Sequence, residues 1–279
     1  MKIERRNLAE FTTLAVGGPA EVWTVETPAD LVEATAAPYR VLGNGSNLLV
    51  ADGGVPERVI RLGGVFARGT LGRPRAGATD HLTPWIGAGV LLPGLVQEAA
   101  RLGLSGLEPL LGIPASVGGA VRMNAGTRFG ELADVLEAVE LFHDGAFRVL
   151  DPGELGFGYR TSRLPQGAIV TRVRLRLTPA PAAAIEARMA EVDAARKGQP
   201  KRKSAGCAFK NPPGDAAGRL IDAAGFKGLR VGGAMVSHEH GNFVVNTGGA
   251  RAADVWKLVK RIQEELGLEL EWEVWGELP

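Results

Sequence analysis

Two glycine-rich segments hold the residues best suited to chemistry in this chain. The longer, SGLEPLLGIPASVGGAVRMNAGTRFG, runs from Ser105 to Gly130, and the shorter, VLGNGSNLLV, runs from Val41 to Val50. Each lies beside an apolar run and carries little charge. Backbone that lacks side-chain bulk can bring successive N–H groups around a phosphate. Two such segments in one chain therefore predict a dinucleotide held between two loops.

Strands must position these loops, because short apolar runs bounded by glycine, proline or asparagine dominate the chain up to Leu177. A helix is predicted from Leu91 to Leu102, since Leu91, Leu95 and Leu102 share a face. The predicted strands are Glu21–Glu26, Tyr39–Leu42, Leu48–Val50, Arg58–Leu62, Leu82–Gly87, Val135–His143, Phe147–Leu150 and Ala168–Leu177.

A smaller α/β region is predicted after the proline-containing break at Thr178–Ala182. The basic stretch Lys197–Lys203 is expected to form an exposed linker or turn. The predicted helices are Ala182–Arg196, Ala216–Ala224 and Ala252–Leu266, and the predicted strands are Ala234–Ser237, Asn242–Val245 and a final strand, Leu268–Trp275. That last strand is too short to be a domain and is expected to return and pair elsewhere. The predicted fold class is α+β.

Composition excludes several classes of protein. With 279 residues, 45% hydrophobic and 23% charged, the chain has the size and balance of a globular protein of two or three domains. Its formal net charge of +1 favours neither nucleic acid nor an anionic membrane as a partner. No run approaches the roughly 20 apolar residues of a membrane helix, and the polar start does not resemble a signal sequence. A cytoplasmic location is expected.

Metal and disulfide chemistry are not predicted. Cys207 is the sole cysteine, so an intrachain disulfide and a cysteine-based zinc site are excluded. No group of histidine, aspartate and glutamate has the spacing of metal ligands, and no metal is expected. His81 and His143 are interpreted as surface or turn residues.

Several segments together resemble the UDP-N-acetylenolpyruvoylglucosamine reductase family. They occur in the family's order and span nearly the whole chain. The segments are NLAEFTTLAVGGPAEVW (Asn7–Trp23), VLGNGSNLLV (Val41–Val50), GIPASVGGAVRMNAG (Gly112–Gly126), FGYRTSRLP (Phe157–Pro165), SAGCAFKNP (Ser204–Pro212), GRLIDAAGFKG (Gly218–Gly228), VSHEHGNFVVN (Val236–Asn246) and LELEWEVWG (Leu268–Gly276).

The resemblance implies FAD-binding domains of the vanillyl-alcohol-oxidase (PCMH) type plus a smaller α/β substrate-binding domain. Residues 1–55 with 267–279 would form the first FAD-binding subdomain, 56–180 the second, and 181–266 the substrate-binding domain. The stretch after Arg160 is short and leads directly into a strand. This resembles the second class of the family, which lacks a tyrosine-bearing insertion at that place.

The resemblance also implies two half-reactions, with NADPH as co-substrate, non-covalent FAD as cofactor and a UDP-sugar as substrate. A hydride passes from NADPH to FAD and then to the vinyl carbon of an enolpyruvyl ether. Negative charge then develops on the adjacent carbon and its carboxylate. This chemistry needs a cation at the carboxylate, a proton donor at the carbon and a second acid near the carboxylate oxygens. No nucleic-acid or membrane partner is implied, and a monomer is expected.

Three residues match the family's catalytic positions. Arg160, in GYRTS, is expected to fork onto the substrate carboxylate. Cys207, in SAGCAFKNP, stands where the family usually has a serine proton donor. A thiol has an unperturbed pKa of about 8.5 and is mostly protonated at neutral pH, so it can serve as the acid. Glu273, in LELEWEVWG, either donates a proton to the carboxylate or orients Arg160. By pattern alone Glu269, Glu271 and Glu273 share one face of the last strand, and the motif selects Glu273.

The remaining site residues also come from the resemblance. Lys210, Asn211 and His240 are the predicted substrate contacts, together with Arg160. The predicted FAD contacts lie in the two glycine-rich loops and one strand: Gly43, Asn44, Gly45, Ser46, Asn47, Leu48, Ile113, Pro114, Ser116, Gly118, Gly119, Asn124, Ala125, Gly126 and Ile169.

Two alternative functions remain open at this point. One is a flavin oxidase with the same kind of FAD domain that acts on an alcohol; it would leave Arg160, Cys207 and Glu273 without a shared purpose. The other is a non-catalytic nucleotide-binding protein that kept the loops. The cysteine at the usual serine position favours the second alternative, whereas the retained Arg160, Glu273 and Lys210-Asn211 oppose it.

Overall fold

The computed structural model describes all residues, 1–279, and divides the chain into two compact units. The first unit comprises Met1–Lys2, Trp23–Gly43 and Ile60–Lys197, and the second comprises Ile3–Val22, Asn44–Val59 and Gly198–Pro279. No helix has both the length and the apolar character needed to cross a bilayer. These units reflect the packing of the chain, whereas the three predicted domains were defined by cofactor and substrate binding. The three-domain division stays a prediction.

The elements confirm an α+β protein. The helices are α1 (Pro28–Ala34), α2 (Leu92–Leu102), α3 (Val117–Arg122), α4 (Ala182–Arg196), α5 (Ala217–Ala223) and α6 (Ala252–Leu266). The strands are β1 (Lys2–Asn7), β2 (Pro19–Val25), β3 (Tyr39–Val41), β4 (Leu48–Val50), β5 (Arg58–Leu62), β6 (His81–Leu82), β7 (Ile86–Gly87), β8 (Leu104–Ser105), β9 (Gly126–Thr127), β10 (Gly130–Glu131), β11 (Leu136–His143), β12 (Ala146–Leu150), β13 (Ile169–Pro179), β14 (Lys203–Cys207), β15 (Arg230–Val231), β16 (Ala234–Val236), β17 (Phe243–Asn246) and β18 (Glu273–Trp275).

The first unit is built around the long strand β13. Strands β12, β11, β13 and β6 form an antiparallel sheet in that order, and β7 and β8 also pair with β13. Val173, Leu175 and Leu177 of β13 are buried, as the period-two alternation of a strand with one core face requires. Helices α2 and α3 contribute apolar side chains to the same core. The second glycine-rich loop is thereby fixed to a rigid sheet through α3, which packs on β13.

The second unit has a four-stranded antiparallel sheet in the order β14, β17, β16, β15. Helix α6 packs its apolar face on this sheet, and Val255, Leu258, Val259 and Ile262 are all buried. Strand β18 pairs in parallel with β4, so the chain end returns to the first glycine-rich segment. This confirms the prediction that the last strand pairs elsewhere.

Asp52 caps helix α6 from a distant part of the chain. Its two carboxylate oxygens accept hydrogen bonds from the N–H groups of Ala252, at 2.8 Å, and Ala253, at 3.1 Å. We expect Asp52→Ala to lower the free energy of unfolding by about 1 kcal/mol, the usual loss for an N-cap. Asp52→Asn keeps one acceptor and should lose less. The measurement is the denaturant midpoint at unchanged slope; equal midpoints for wild type and Asp52→Ala would contradict the capping role.

Two predicted strands differ from the structure. The segment Leu82–Gly87 forms two short strands, β6 and β7, instead of one. Pro84 lies between them and has no N–H to continue the hydrogen bonding between strands. The segment Leu268–Trp275 is regular only from Glu273 onward. Before that point its backbone bonds to Ala208 and Lys210 instead, through Glu271 N to Ala208 O and Lys210 N to Glu269 O. The three glutamates therefore do not alternate along one continuous strand.

Other predicted features need smaller corrections. Lys203, expected in a linker, begins β14. His81 and His143 lie in strands β6 and β11, and each bonds a backbone carbonyl through Nε2, at 2.6 Å to Leu71 and 3.0 Å to Gln166. The sequence also missed elements with little periodicity, among them α1, α3, β1, β14 and β15.

Candidate active site

Arg160 lies at the tip of a tight turn in the first unit. Gly158 and Thr161 form an isolated β-bridge, with N to O distances of 3.1 and 3.2 Å in the two directions. Arg160 has a φ of 56°, in the left-handed region that side chains disfavour. Its Nη2 donates to the carbonyl of Gly126 at 2.8 Å, and its guanidinium lies 5.1 Å from the ring centre of Tyr159. The cation is thus anchored to the second glycine-rich loop.

The backbone strain at Arg160 predicts an unusual stability effect. Both Arg160→Gly and Arg160→Ala lose the guanidinium, but only glycine relaxes at positive φ. We expect Arg160→Gly to be more stable than Arg160→Ala by about 1 kcal/mol in denaturant unfolding. The control is exposed Arg148 in β12, where alanine should be the more stable of the same two replacements. Alanine equal to or better than glycine at position 160 would contradict the strain.

Cys207 ends strand β14 beside an irregularity in the sheet. The pairing of β14 with β17 shifts register between Ser204 and Cys207, and the intervening Gly206 has a φ of 74°. A bulge of this kind re-aims the next side chain. Asn242 fixes the chain beyond it, because its side-chain amide accepts from Phe209 N at 2.9 Å and donates to Phe209 O at 2.7 Å. Cys207 is half-buried.

Glu273 is the first residue of β18 and is tied to the first glycine-rich loop. Its N–H donates to Asn47 O at 3.0 Å, and Asn47 Nδ2 donates to Glu271 O at 3.1 Å. The Glu273 carboxylate accepts from Trp275 Nε1 at 2.9 Å. Asn47 therefore forms a bracket of two hydrogen bonds, to the backbone of Glu271 and of Glu273. These bonds fix the position of Glu273. The sequence did not reveal this bracket.

The first glycine-rich loop fits a phosphate. Gly45 has a φ of 59°, and a Cβ there would lie 2.3 Å from Phe11 O, so only glycine is tolerated. Its carbonyl accepts from Thr13 N and Thr13 Oγ1, at 3.1 and 3.3 Å. The backbone N–H groups of Gly45, Ser46 and Asn47 donate no hydrogen bond within the protein, so this three-residue nest candidate has donors available for an anion. Leu48 continues into β4 with its side chain buried.

The second loop uses its N–H groups differently from the expectation. Those of Val117 and Gly118 donate to Val90 O and Ala88 O, and that of Gly119 donates to Ser116 Oγ, which caps α3. The amide donors of Gly118 and Gly119 are therefore already used, and a Cβ on Gly118 would lie 3.0 Å from the Cβ of Ala88. Within the first unit, Ser116 lies close to Gly43, since a Cβ on Gly43 would lie 2.6 Å from Ser116 Oγ.

The other predicted FAD contacts differ in exposure. Pro114 is exposed and Ile113 is half-buried, whereas Ala125 is buried. Asn124 is fully buried and bonds to protein groups through both amide atoms. Ile169 is buried in the cluster around Phe142 and Trp23, and it pairs with Phe142 in the sheet.

The predicted substrate contacts of the second unit have protein partners. Lys210 Nζ forms an ion pair with Glu269 at 2.7 Å, and Asn211 Oδ1 accepts from Ala217 N at 3.0 Å and so caps α5. His240 Nδ1 accepts from Asn242 N at 3.2 Å. Burial, and to a lesser extent the charge of Lys227, holds the pKa of His240 below its usual value. The lowered pKa favours the neutral imidazole, and the hydrogen bond accepted at Nδ1 leaves Nε2 as the donor.

Each unit holds part of the predicted site. Arg160, Gly43 and the second glycine-rich loop lie in the first unit, whereas Cys207, Glu273, Lys210 and the loop from Asn44 to Leu48 lie in the second. Within the second unit, the first loop is linked to the chain near both predicted acids. Asn47 O accepts from Glu273 N, and Gly45 O accepts from Thr13 N. Thr13 Oγ1 in turn donates to Ser204 O at 2.6 Å, three residues before Cys207.

Comparison with known proteins shows the family of this chain. An FAD binding domain model matches residues 15–146, and a model of the C-terminal domain of UDP-N-acetylenolpyruvoylglucosamine reductase matches residues 199–275. A UDP-N-acetylenolpyruvoylglucosamine reductase of Thermus thermophilus is 71% identical over 275 residues, covering 99% of this chain and 100% of the relative. The reductase of Deinococcus radiodurans is 54% identical over 280 residues, covering 99% and 97%.

A solved structure shows the same fold. The crystal structure of the UDP-N-acetylenolpyruvylglucosamine reductase from Thermus caldophilus superposes with a TM-score of 0.94 at 70% identity, covering 99% of this chain and 100% of that one. The FAD binding domain and the reductase C-terminal domain define a flavin-dependent oxidoreductase. Full-length identity to the named reductases then settles the family. The chain belongs to the UDP-N-acetylenolpyruvoylglucosamine reductase family, as its eight motifs predicted.

Proposed function

We propose that this protein catalyses the NADPH-dependent reduction of UDP-N-acetyl-3-O-enolpyruvoylglucosamine to UDP-N-acetylmuramate, a step of peptidoglycan precursor synthesis. The observation that carries the proposal is the 71% identity to a named reductase over the whole of both chains. Arg160, Cys207 and Glu273 would together supply a cation and two acids, which neither an alcohol oxidase nor a non-catalytic nucleotide-binding protein would need together.

Non-covalent FAD, when bound, supplies the hydride chemistry that couples NADPH to the enolpyruvyl substrate. The nest at Gly45, Ser46 and Asn47 would hold its pyrophosphate, and Gly43, Gly118 and Gly119 would offer it close backbone contact. Arg160 would hold the substrate carboxylate with two parallel hydrogen bonds, which fix its direction as well as its charge. The anchor to Gly126 O holds one nitrogen of the guanidinium in place and so restricts the direction in which the fork can point.

Cys207 and Glu273 would act as the acids of the second half-reaction. As the vinyl carbon gains a hydride, negative charge develops on the carbon that bears the carboxylate, and the Cys207 thiol would deliver its proton to that carbon. Glu273 would lie near the carboxylate oxygens, donating a proton or orienting Arg160. The bond from Trp275 Nε1 restricts the orientation of the Glu273 carboxyl group, in keeping with either role.

Lys210, Asn211 and His240 would contact the UDP-sugar, with neutral His240 presenting a donor at Nε2. In this proposal residues 1–55 with 267–279 and residues 56–180 hold the cofactor, and residues 181–266 bind the substrate. The protein would act as a cytoplasmic monomer without nucleic-acid or membrane partners.

Flavin spectroscopy tests this function directly. We expect the purified protein to be yellow and to release FAD, and not FMN, on acid denaturation and filtration. Under anaerobic conditions NADPH should bleach the flavin absorbance, and the enolpyruvyl sugar nucleotide should restore it. UDP-N-acetylglucosamine, which lacks the enolpyruvyl group, is the matched control and should restore nothing.

The possible results separate the candidate functions. Bleaching by an alcohol instead of NADPH would indicate an oxidase. Bound flavin that NADPH cannot reduce would indicate a non-catalytic binding protein. Flavin retained with the denatured polypeptide would contradict non-covalent binding.

A further inference from the structure

The turn that carries Arg160 is held by one short segment of the second glycine-rich loop, Arg122–Gly126. Three hydrogen bonds join them: Ser162 Oγ to Arg122 O at 2.7 Å, Asn124 Nδ2 to Gly158 O at 3.1 Å, and Arg160 Nη2 to Gly126 O at 2.8 Å. They fall on alternate residues of the segment. We name this set of contacts the 122–126 clamp.

Asn124 is the most constrained member of the clamp. Its side chain is fully buried, and its Oδ1 accepts from Ala133 N at 3.1 Å while its Nδ2 donates to Gly158 O. Its φ of 43° is in the left-handed region, which asparagine tolerates better than most residues. The Asn124 side-chain oxygen and nitrogen both bond to protein groups. Asn124 therefore holds Ala133 and Gly158 in place.

Arg160 needs such support because its own backbone is strained. A residue with a side chain at positive φ persists only where its surroundings fix it. A carboxylate fork also tolerates little displacement, since both hydrogen bonds must form together. The 122–126 clamp provides this support, and it belongs to the second glycine-rich loop.

We propose that the 122–126 clamp positions Arg160 for the substrate carboxylate, with Asn124 as its principal positioning residue. The inference rests on the proposed function, because it concerns the arginine of that reaction. Asn124, predicted from sequence as an FAD contact, acts through Gly158 on the arginine turn. Loss of the clamp weakens carboxylate binding and slows the second half-reaction, while the first is left intact.

Asn124→Asp is the sharpest test. Ionised aspartate keeps the acceptor for Ala133 N, loses the donor to Gly158 O and adds a negative charge beside that carbonyl. With NADPH-bleached protein, the return of flavin absorbance on adding substrate should slow about 10- to 100-fold, the cost of misplacing a reacting group. Bleaching by NADPH should match wild type. Substrate affinity, titrated without NADPH, should fall about tenfold.

A double-mutant cycle separates positioning from a general structural role. In an Arg160→Lys background, Asn124→Asp should cause no further slowing, because the group through which it acts is already lost. Additive effects, or equal slowing of both half-reactions, would overturn the inference. If Asn124→Asp does not fold, Asn124→Gly, which accepts the same φ, and Ser162→Ala replace it. Wild-type substrate affinity and rate in Ser162→Ala would then overturn the clamp.

The inference and the proposed function fail in different ways. Wild-type protein that cannot reduce the enolpyruvyl substrate would remove the proposed function. Wild-type protein that turns over normally, with clamp variants that do the same, would remove only the inference.

Discussion

Replacing Arg160 with lysine is expected to slow reduction of the enolpyruvyl substrate about 100- to 1000-fold, equivalent to about 2.7–4 kcal/mol. Lysine keeps the charge but loses the planar fork that meets both carboxylate oxygens. It also loses the guanidinium contact to Gly126 O. Bleaching of the flavin by NADPH should continue at the wild-type rate, because no substrate carboxylate takes part. Stopped-flow absorbance measures the two half-reactions separately.

A nearby arginine provides the matched control. Arg163→Lys makes the same chemical change three residues further along the chain, at a position with no predicted role, and should leave both half-reactions unchanged. Equal losses in the two half-reactions of Arg160→Lys would mean that the arginine supports cofactor binding or the fold. A normal second half-reaction would show that the carboxylate is bound elsewhere.

Helices with a strong local signal could be predicted from sequence. The predicted bounds of α4 and α6 agree with the structure. Pro181 precedes α4, and Gly267 ends α6 with a φ of 65°, so local residues fix these ends. Helix α3 was missed because it has six residues and two of them are glycine. It forms through the Ser116 cap and its packing on β13, and neither is visible in a local window.

Sequence motifs name candidate site residues, but they do not show which protein groups those residues contact. The motifs brought out Arg160, Cys207 and Glu273 because each stands in a distinctive local context. Asn124 stood in an equally distinctive motif and was predicted to contact FAD. In the structure its side chain bonds to Gly158 O and Ala133 N, which are 34 and 9 residues away in the chain. Only the fold shows that its side chain is committed to them.

The same limit applies to the backbone donors of the glycine-rich loops. The composition of both loops predicts anion-binding N–H groups, but only the fold decides which of them are available. In the first loop, three successive groups from Gly45 to Asn47 donate to no protein atom. In the second, the groups of Gly118 and Gly119 serve Ala88 O and Ser116 Oγ. Two loops of similar composition thus differ in which backbone N–H groups are available to a ligand.

The second large effect is expected at Cys207. Cys207→Ala removes the proposed proton donor and should slow product formation about 100- to 10,000-fold, the usual contribution of a general acid. Cys207→Ser restores the family's usual donor and should keep substantial activity. Ser204→Ala, on the same strand β14, is the control and should behave as wild type. Steady-state rates and flavin bleaching by NADPH are measured for all three variants.

Isotope labelling and alkylation test the same thiol independently. In deuterated solvent, wild-type protein should place one deuterium at the carbon next to the carboxylate. A small thiol-alkylating reagent should modify one site, because Cys207 is the sole cysteine, and should abolish turnover of the sugar nucleotide. Bound substrate should protect the thiol, and flavin bleaching by NADPH should survive the modification. If Cys207→Ala turns over as fast as wild type, the thiol is structural and the proton comes from another group.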